Sequence, residues 1–197
     1  MSFVTASHIT NWANTNRRDC QGVLPDLVRR LIRATAGQIM AISFPVGDAV
    51  SDEGWDGVLD CAAAHPMVPD GISGWEIGTD KSAPSKAEGD YAKREADALG
   101  LSPATTTFVF VTPRAWPKRA IWSTSKRAGG HWRDVRVIAA GDLELWLRDA
   151  PVVELWLARH LGLAPTTGLT DLEGWWREWS HATALNMTAG MLGRVVN

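Results

Sequence analysis

Apolar residues recur at helical spacing in residues 24–35. Leu24, Leu27, Val28 and Leu31 form one stripe while Arg29, Arg30 and Arg33 face away, which predicts an amphipathic helix ended by Gly37. Three short extended segments follow: 38–46 (QIMAISFPV), 55–61 (WDGVLDC) and 74–79 (GWEIGT), separated by polar, Gly- and Pro-rich turns. Ser85 and Glu88 match a capping box, in which a Ser side chain caps an amide and a Glu reaches back, so a helix is expected from 86 to 99. Residues 105–112 (TTTFVFVT) are β-branched and aromatic and read as a central strand, and 134–139 alternate as another. Asp142 is placed to cap a short helix, and Pro151 opens a further one. The order is helix, three strands, helix, strand, strand, helices. It predicts an α/β chain with a mixed β-sheet flanked by helices.

Residues 164–168 (APTTG) read as a linker, and Thr170 with Glu173 repeats the capping box before a Trp-rich helix, GWWREWSH. The expected division is a domain over 1–163 and a linker with a helical segment over 164–197. Trp175, Trp176 and Trp179 spread around more of that helix than one buried stripe needs, so it is expected to dock on a following domain of a larger parent chain.

Composition narrows the class. With 45% hydrophobic and 21% charged residues, the 197-residue chain has the make-up of a folded domain. Cys20 and Cys61 are too few for a disulfide framework, and a cytoplasmic location is expected. No basic-then-apolar leader opens the sequence and no apolar run is long enough to cross a bilayer, so neither secretion nor a membrane partner is expected. The net charge of −2 conceals a separation. Between Arg33 and Lys81 there are eight acids and no Lys or Arg, three of the acids being Asp48, Asp52 and Glu53. From 114 to 136 there are seven basic residues against Asp134 alone.

The acidic strands echo each other, Trp55 beside Asp56 and Trp75 beside Glu76. Period-two alternation predicts that burying both indoles on one face turns both carboxylates to the other, where adjacent strands bring them together. Paired carboxylates suit a divalent cation with oxygen ligands, Mg²⁺ or Mn²⁺; solvated carboxylates on a half-exposed sheet are the bland reading. Lys86 is predicted in the first turn of a helix, where the macrodipole disfavours a cation.

Taken together, GWDG, then VPDGISGWEIGTDKSAPSKAEGDYAKR, resembles the PD-(D/E)XK superfamily of restriction-endonuclease-like nucleases. In detail it is similar to the amino-terminal nuclease domain of bacterial antiviral STAND NTPases. The resemblance covers roughly residues 5–195. It implies a restriction-endonuclease-like sheet, and Asp56, Glu76 and Lys86 as the catalytic set. Asp56, Glu76 and the Ile77 carbonyl would hold the metal, with Asp90, Tyr91 and Arg94 in support. The sequence departs from the family where the lysine two residues after the Glu should stand, because Gly78 is there. Lys86 is favoured over Lys81 to reach that spot, and loss of catalysis is the other outcome.

The functional expectation is therefore a metal-dependent DNA endonuclease, the effector of an antiphage defence protein whose parent chain carries NTPase and sensor domains. Arg114, Lys118, Arg119, Lys126, Arg127 and Arg133 would grip the phosphates of double-stranded DNA, with Trp116, Trp122 and Trp132 interleaved among them. Self-association is expected, since one site cuts one strand. The rival expectation is a catalytically inactive nucleic-acid-binding or assembly module. Hydrolysis of a small phosphoester shares the same chemistry.

Overall fold

The structure, a computed structural model, describes residues 3–45, 54–63, 65–163 and 175–176. The chain divides into two units, Met1–Leu163 and Ala164–Asn197. The 164–168 linker, most of the expected Trp-rich helix including Trp179, and the acids Asp48, Asp52 and Glu53 lie outside the described residues. No helix among the described residues is long and apolar enough to cross a membrane. Cys20 and Cys61 are buried free thiols.

The first unit is a mixed α/β fold. Its elements are α1 (Ala6–Thr15), α2 (Arg17–Thr35), β1 (Ile39–Ser43), β2 (Gly57–Cys61), β3 (Gly71–Ile77), α3 (Ala83–Ala96), β4 (Thr107–Val111), α4 (Arg119–Gly129), β5 (Asp134–Ile138), α5 (Ala140–Arg148) and α6 (Pro151–His160). The five strands lie in sequence order. β1, β2 and β3 form an antiparallel meander, then β4 and β5 run parallel to β3. β4 (TFVFV) is buried at every position, as a parallel strand covered on both faces must be.

Two helices escaped the sequence pattern. α1 is capped by Thr5, with His8 in place of the usual Glu or Gln at the third position. α4 occupies part of the basic segment, where the sequence pattern predicts no helix, and stops at Gly130, whose left-handed φ of 69° suits a residue without Cβ. The helix expected from 86 begins three residues earlier. Ser82 is its N-cap, and Glu88 bonds Trp122 and Lys126 instead of reaching back. Lys86 is therefore the fourth helical residue, and its amide makes the first helical bond, to the Ser82 carbonyl at 3.1 Å. Asp142 likewise stands inside α5, accepting from the Ala139 amide.

The two faces carry different aromatic cores. On one, Trp55, Tyr91, Phe108, Phe110, Trp116 and Trp132 pack beneath α3 and α4. On the other, fully buried Trp75 stacks on Trp146 of α5 at 6.5 Å and meets Phe44 edge-on. Truncating an indole buried like Trp75 costs about 3–5 kcal/mol. Trp55 and Trp75 thus lie on opposite faces, contrary to the alternation argument. β2 starts at Gly57, so Trp55 and Asp56 precede the pleat. Freed from it, the Trp55 ring lies over Gly74, where a Cβ would stand 2.8 Å from the indole.

Candidate functional site

The C-terminal end of β3 forms one wall of a cavity of about 550 Å³. Glu76 and Ile77 come from β3, Asp56 from the segment entering β2, Lys86, Asp90, Lys93 and Arg94 from α3, and Arg17, Gln21 and Pro25 from α2. The antiparallel register explains the meeting of the two acids. Gly57 pairs with Trp75, so position 56 falls opposite position 76 one step past the ladder. Asp56 Oδ2 accepts from the Ile77 amide at 2.6 Å, which anchors the carboxylate there.

α3 supplies the cations. Lys86 Nζ donates to Asp90 Oδ1 at 2.6 Å, and the Arg94 guanidinium bonds both Glu76 Oε1 and the Gly54 carbonyl while lying 5.0 Å over the Trp55 ring. Positions 86, 90 and 94 repeat every fourth residue, so one helical stripe presents Lys, Asp and Arg to the cavity. Gly78 is what lets Lys86 lie there. A Cβ on residue 78 would stand 2.7 Å from Lys86 Cγ and 2.8 Å from Phe110 Cζ. The Lys86 stem thus crosses the face from which a side chain at position 78 would project.

Burial governs the charges. It pushes the Glu76 carboxyl up to about 7, with the nearby Asp56 charge adding to the effect and Arg94 opposing it. Asp56 is raised too, by burial and then by Asp90, against the Ile77 hydrogen bond, Lys86 and Arg94. For Lys86, burial favours the neutral amine, but the Asp90 hydrogen bond and the charges of Asp90, Glu76 and Asp56 outweigh it and raise the pKa. These charges favour the ammonium form of Lys86. Asp90 Oδ2 is buried and takes no hydrogen bond within the described structure.

Several expected site residues sit elsewhere. Tyr91 is buried in the aromatic core, edge-on to Phe108 at 5.2 Å, and Lys81 lines a separate groove. The basic segment is not an open cationic surface. Arg114 is 6% exposed and spends its guanidinium on the carbonyls of Ala13, Thr79 and Asp80 and on Asn14, so it is a strut and not a phosphate contact. Arg119 pairs with Asp142, Lys126 with Glu88, and Arg127 with Asp134. Arg133 bonds the Asp70 carbonyl. Of the six, Lys118 alone is exposed with no ion pair or hydrogen bond of its side chain among the described residues. Trp116 and Trp132 are core, at 6% and 3% exposure, which excludes a stacking platform of all three indoles.

Arg17, Gln21 and Lys93 line the cavity without having been singled out in the sequence. Among the described residues no group of three or more His, Cys, Asp or Glu side chains is placed to hold a metal ion. Two carboxylates and a backbone carbonyl still fit Mg²⁺, which commonly takes one or two carboxylates and fills its remaining positions with water and phosphate oxygens. Comparison with protein-family models, curated proteins and solved structures gave no match.

Proposed function

We propose that the first unit is a metal-dependent nuclease domain that hydrolyses phosphodiesters of DNA. The observation that carries this reading is the convergence of Asp56, Glu76 and Lys86 on one polar cavity, with Lys86 lying over the Gly78 backbone. The order of the sheet, an antiparallel meander followed by a parallel strand after a helix, agrees with a restriction-endonuclease-like fold.

Asp56, Glu76 and the Ile77 carbonyl would hold Mg²⁺ or Mn²⁺, whose chemistry is to lower the pKa of a bound water and offset charge on phosphoryl oxygens. The chain's own residues do the rest. Asp56 is fixed by the Ile77 amide, so its orientation is set before any substrate arrives. Lys86, held charged by Asp90, offers N–H donors to a phosphate oxygen or to the attacking water. Its role is to orient and to stabilise negative charge. Arg94 keeps Glu76 neutralised by an ion pair until a cation competes for it.

That same ion pair favours the second reading, a non-catalytic module that binds nucleic acid or assembles a larger defence protein. A guanidinium already on Glu76 supplies the positive charge that a metal would. Incubation of the full chain with supercoiled plasmid and Mg²⁺ or Mn²⁺, beside Glu76→Ala, separates the two. Metal-dependent nicking lost in Glu76→Ala supports the nuclease. No nicking by the intact protein, or nicking unchanged by the substitution, overturns it.

A further inference from the structure

The loops that leave the parallel strands β3 and β4 form a second concavity, about 330 Å³, lined by Lys81, Ala83, Pro84, Ala115, Trp116, Pro117 and Lys118. Crevices at the carboxyl ends of parallel strands are where open α/β sheets place ligands. The two sides of this one are tied together: Arg114, buried in the loop after β4, donates to the carbonyls of Thr79 and Asp80.

Its chemistry differs from that of the cavity beside it. The floor is apolar, made of two prolines, two alanines and the edge of an otherwise buried Trp116, and no acid lines it. Lys81 stands on one wall and Lys118 on the other. Both are exposed, and neither side chain has an ion pair or hydrogen bond among the described residues. Arg119, Lys126 and Arg127 are each matched to an acid of this chain, whereas these two lysines stand unpaired on one apolar groove. An apolar floor between two cations suits an anion that carries a flat body, a description that a nucleotide meets.

The groove and the acidic cavity share one wall. Thr79, Asp80 and Lys86 line the cavity, whereas Lys81, Ala83 and Pro84, interleaved with them in sequence, line the groove. A nucleic-acid strand that binds in the cavity and continues past this wall would bring a flanking nucleotide to the groove. We infer that this groove is a subsite for the nucleotide flanking the phosphodiester presented to Asp56 and Glu76, with Lys81 and Lys118 on its phosphate and its base against the Pro84–Trp116–Pro117 floor. The inference rests on the proposed nuclease reading for the identity of the strand. It makes the substrate a polymer and not a small phosphoester.

The test uses the full chain in metal-free buffer, so that it is independent of cleavage. Binding of a fluorescein-labelled single-stranded oligodeoxynucleotide is followed by anisotropy across a salt series for the intact protein, Lys81→Ala/Lys118→Ala and Arg33→Ala/Arg148→Ala. The last pair removes the same charge from α2 and α5. The lysine pair is expected to weaken binding about tenfold or more and to lower the salt slope by about 1 for each lysine. The arginine pair is expected to change affinity by less than about twofold. Equal losses in both double variants, or none in either, overturn the subsite. Inorganic phosphate that competes as well as a nucleoside monophosphate at equal concentration also overturns it, by showing an anion site indifferent to the base. If the plasmid test fails while the lysine pair still loses oligonucleotide binding selectively, the groove stands as a nucleotide site and the nuclease reading alone falls.

Discussion

Lys86 and Gly78 exclude each other's side chains: the Lys86 Cγ lies where it would be 2.7 Å from a Cβ on residue 78. The second obstacle there is Phe110, a fully buried ring 2.8 Å from the same point, which cannot swing aside as a lysine stem can. Gly78→Ala should therefore destabilise the fold by about 1–3 kcal/mol through overpacking. Adding Lys86→Ala should recover part of that cost and leave the Phe110 share. Urea denaturation of the two single variants and the double variant checks the coupling, and strictly additive effects would show that the two positions do not compete.

Glu76 links stability to pH. Its carboxyl is pushed up to about 7 by burial, then by Asp56, from an ordinary 4.5, so the folded chain holds this proton more tightly than the unfolded one. The sign follows from the excess of bound protons in the folded state: the contribution is complete below about 4.5 and is lost as pH rises through about 7. At about 1.36 kcal/mol per pH unit of displacement, the change across that window is on the order of 3 kcal/mol. Asp56 is raised as well and adds a slope of its own, so the comparison is between the intact protein and Glu76→Gln. The substitution should flatten the fall in unfolding free energy between about pH 5 and pH 8. Parallel profiles for the two proteins would refute it.

The parts of this fold legible in the sequence are those whose signal is local. β4 could be read from its β-branched and aromatic run, and α6 from Pro151 at its first position. The acidic pair was found for a wrong reason. Alternation does not govern Trp55 and Asp56, because the strand begins at Gly57, and the carboxylates meet through the register of Gly57 with Trp75 instead. α4 is not legible in the sequence because its first residue follows Lys118, which offers no side-chain cap. Its cations mislead for a physical cause. Linear charge density counts Arg119 and Lys126 as free, but Asp142 and Glu88 reach them from other helices. No window of sequence contains those pairs.

Arg114 illustrates the difference between a surface cation and a strut. Its guanidinium meets the carbonyls of Ala13, Thr79 and Asp80, joining α1 to the loop that separates the cavity from the groove. Removing it leaves those acceptors without donors in a buried setting, where an unsatisfied group costs about 1–3 kcal/mol, so Arg114→Ala should cost at least about that much. Arg114→Lys keeps the charge but loses the planar fork, and should recover only part of that. Chemical denaturation reads the loss directly. A variant as stable as the parent would return Arg114 to the set of surface contacts.

The position of Lys86 leads to the last prediction. The ammonium is held by Asp90 at 2.6 Å and its pKa is raised, so whatever it contributes to hydrolysis it contributes as a cation. Removing a charged donor that acts on the transition state costs about 100-fold or more in rate. Lys86→Ala should therefore slow single-turnover cleavage at saturating Mn²⁺ by about that factor, with oligonucleotide affinity kept within a few-fold. Asp90→Asn tests the support. It keeps the shape and a hydrogen-bond acceptor but removes the charge that favours the ammonium, so the pH limit set by loss of the Lys86 proton should move to lower pH while the plateau rate is largely retained. A rate in Lys86→Ala equal to that of the parent would remove the lysine from the reaction. An unchanged pH limit in Asp90→Asn would show that Asp90 serves the fold and not the lysine.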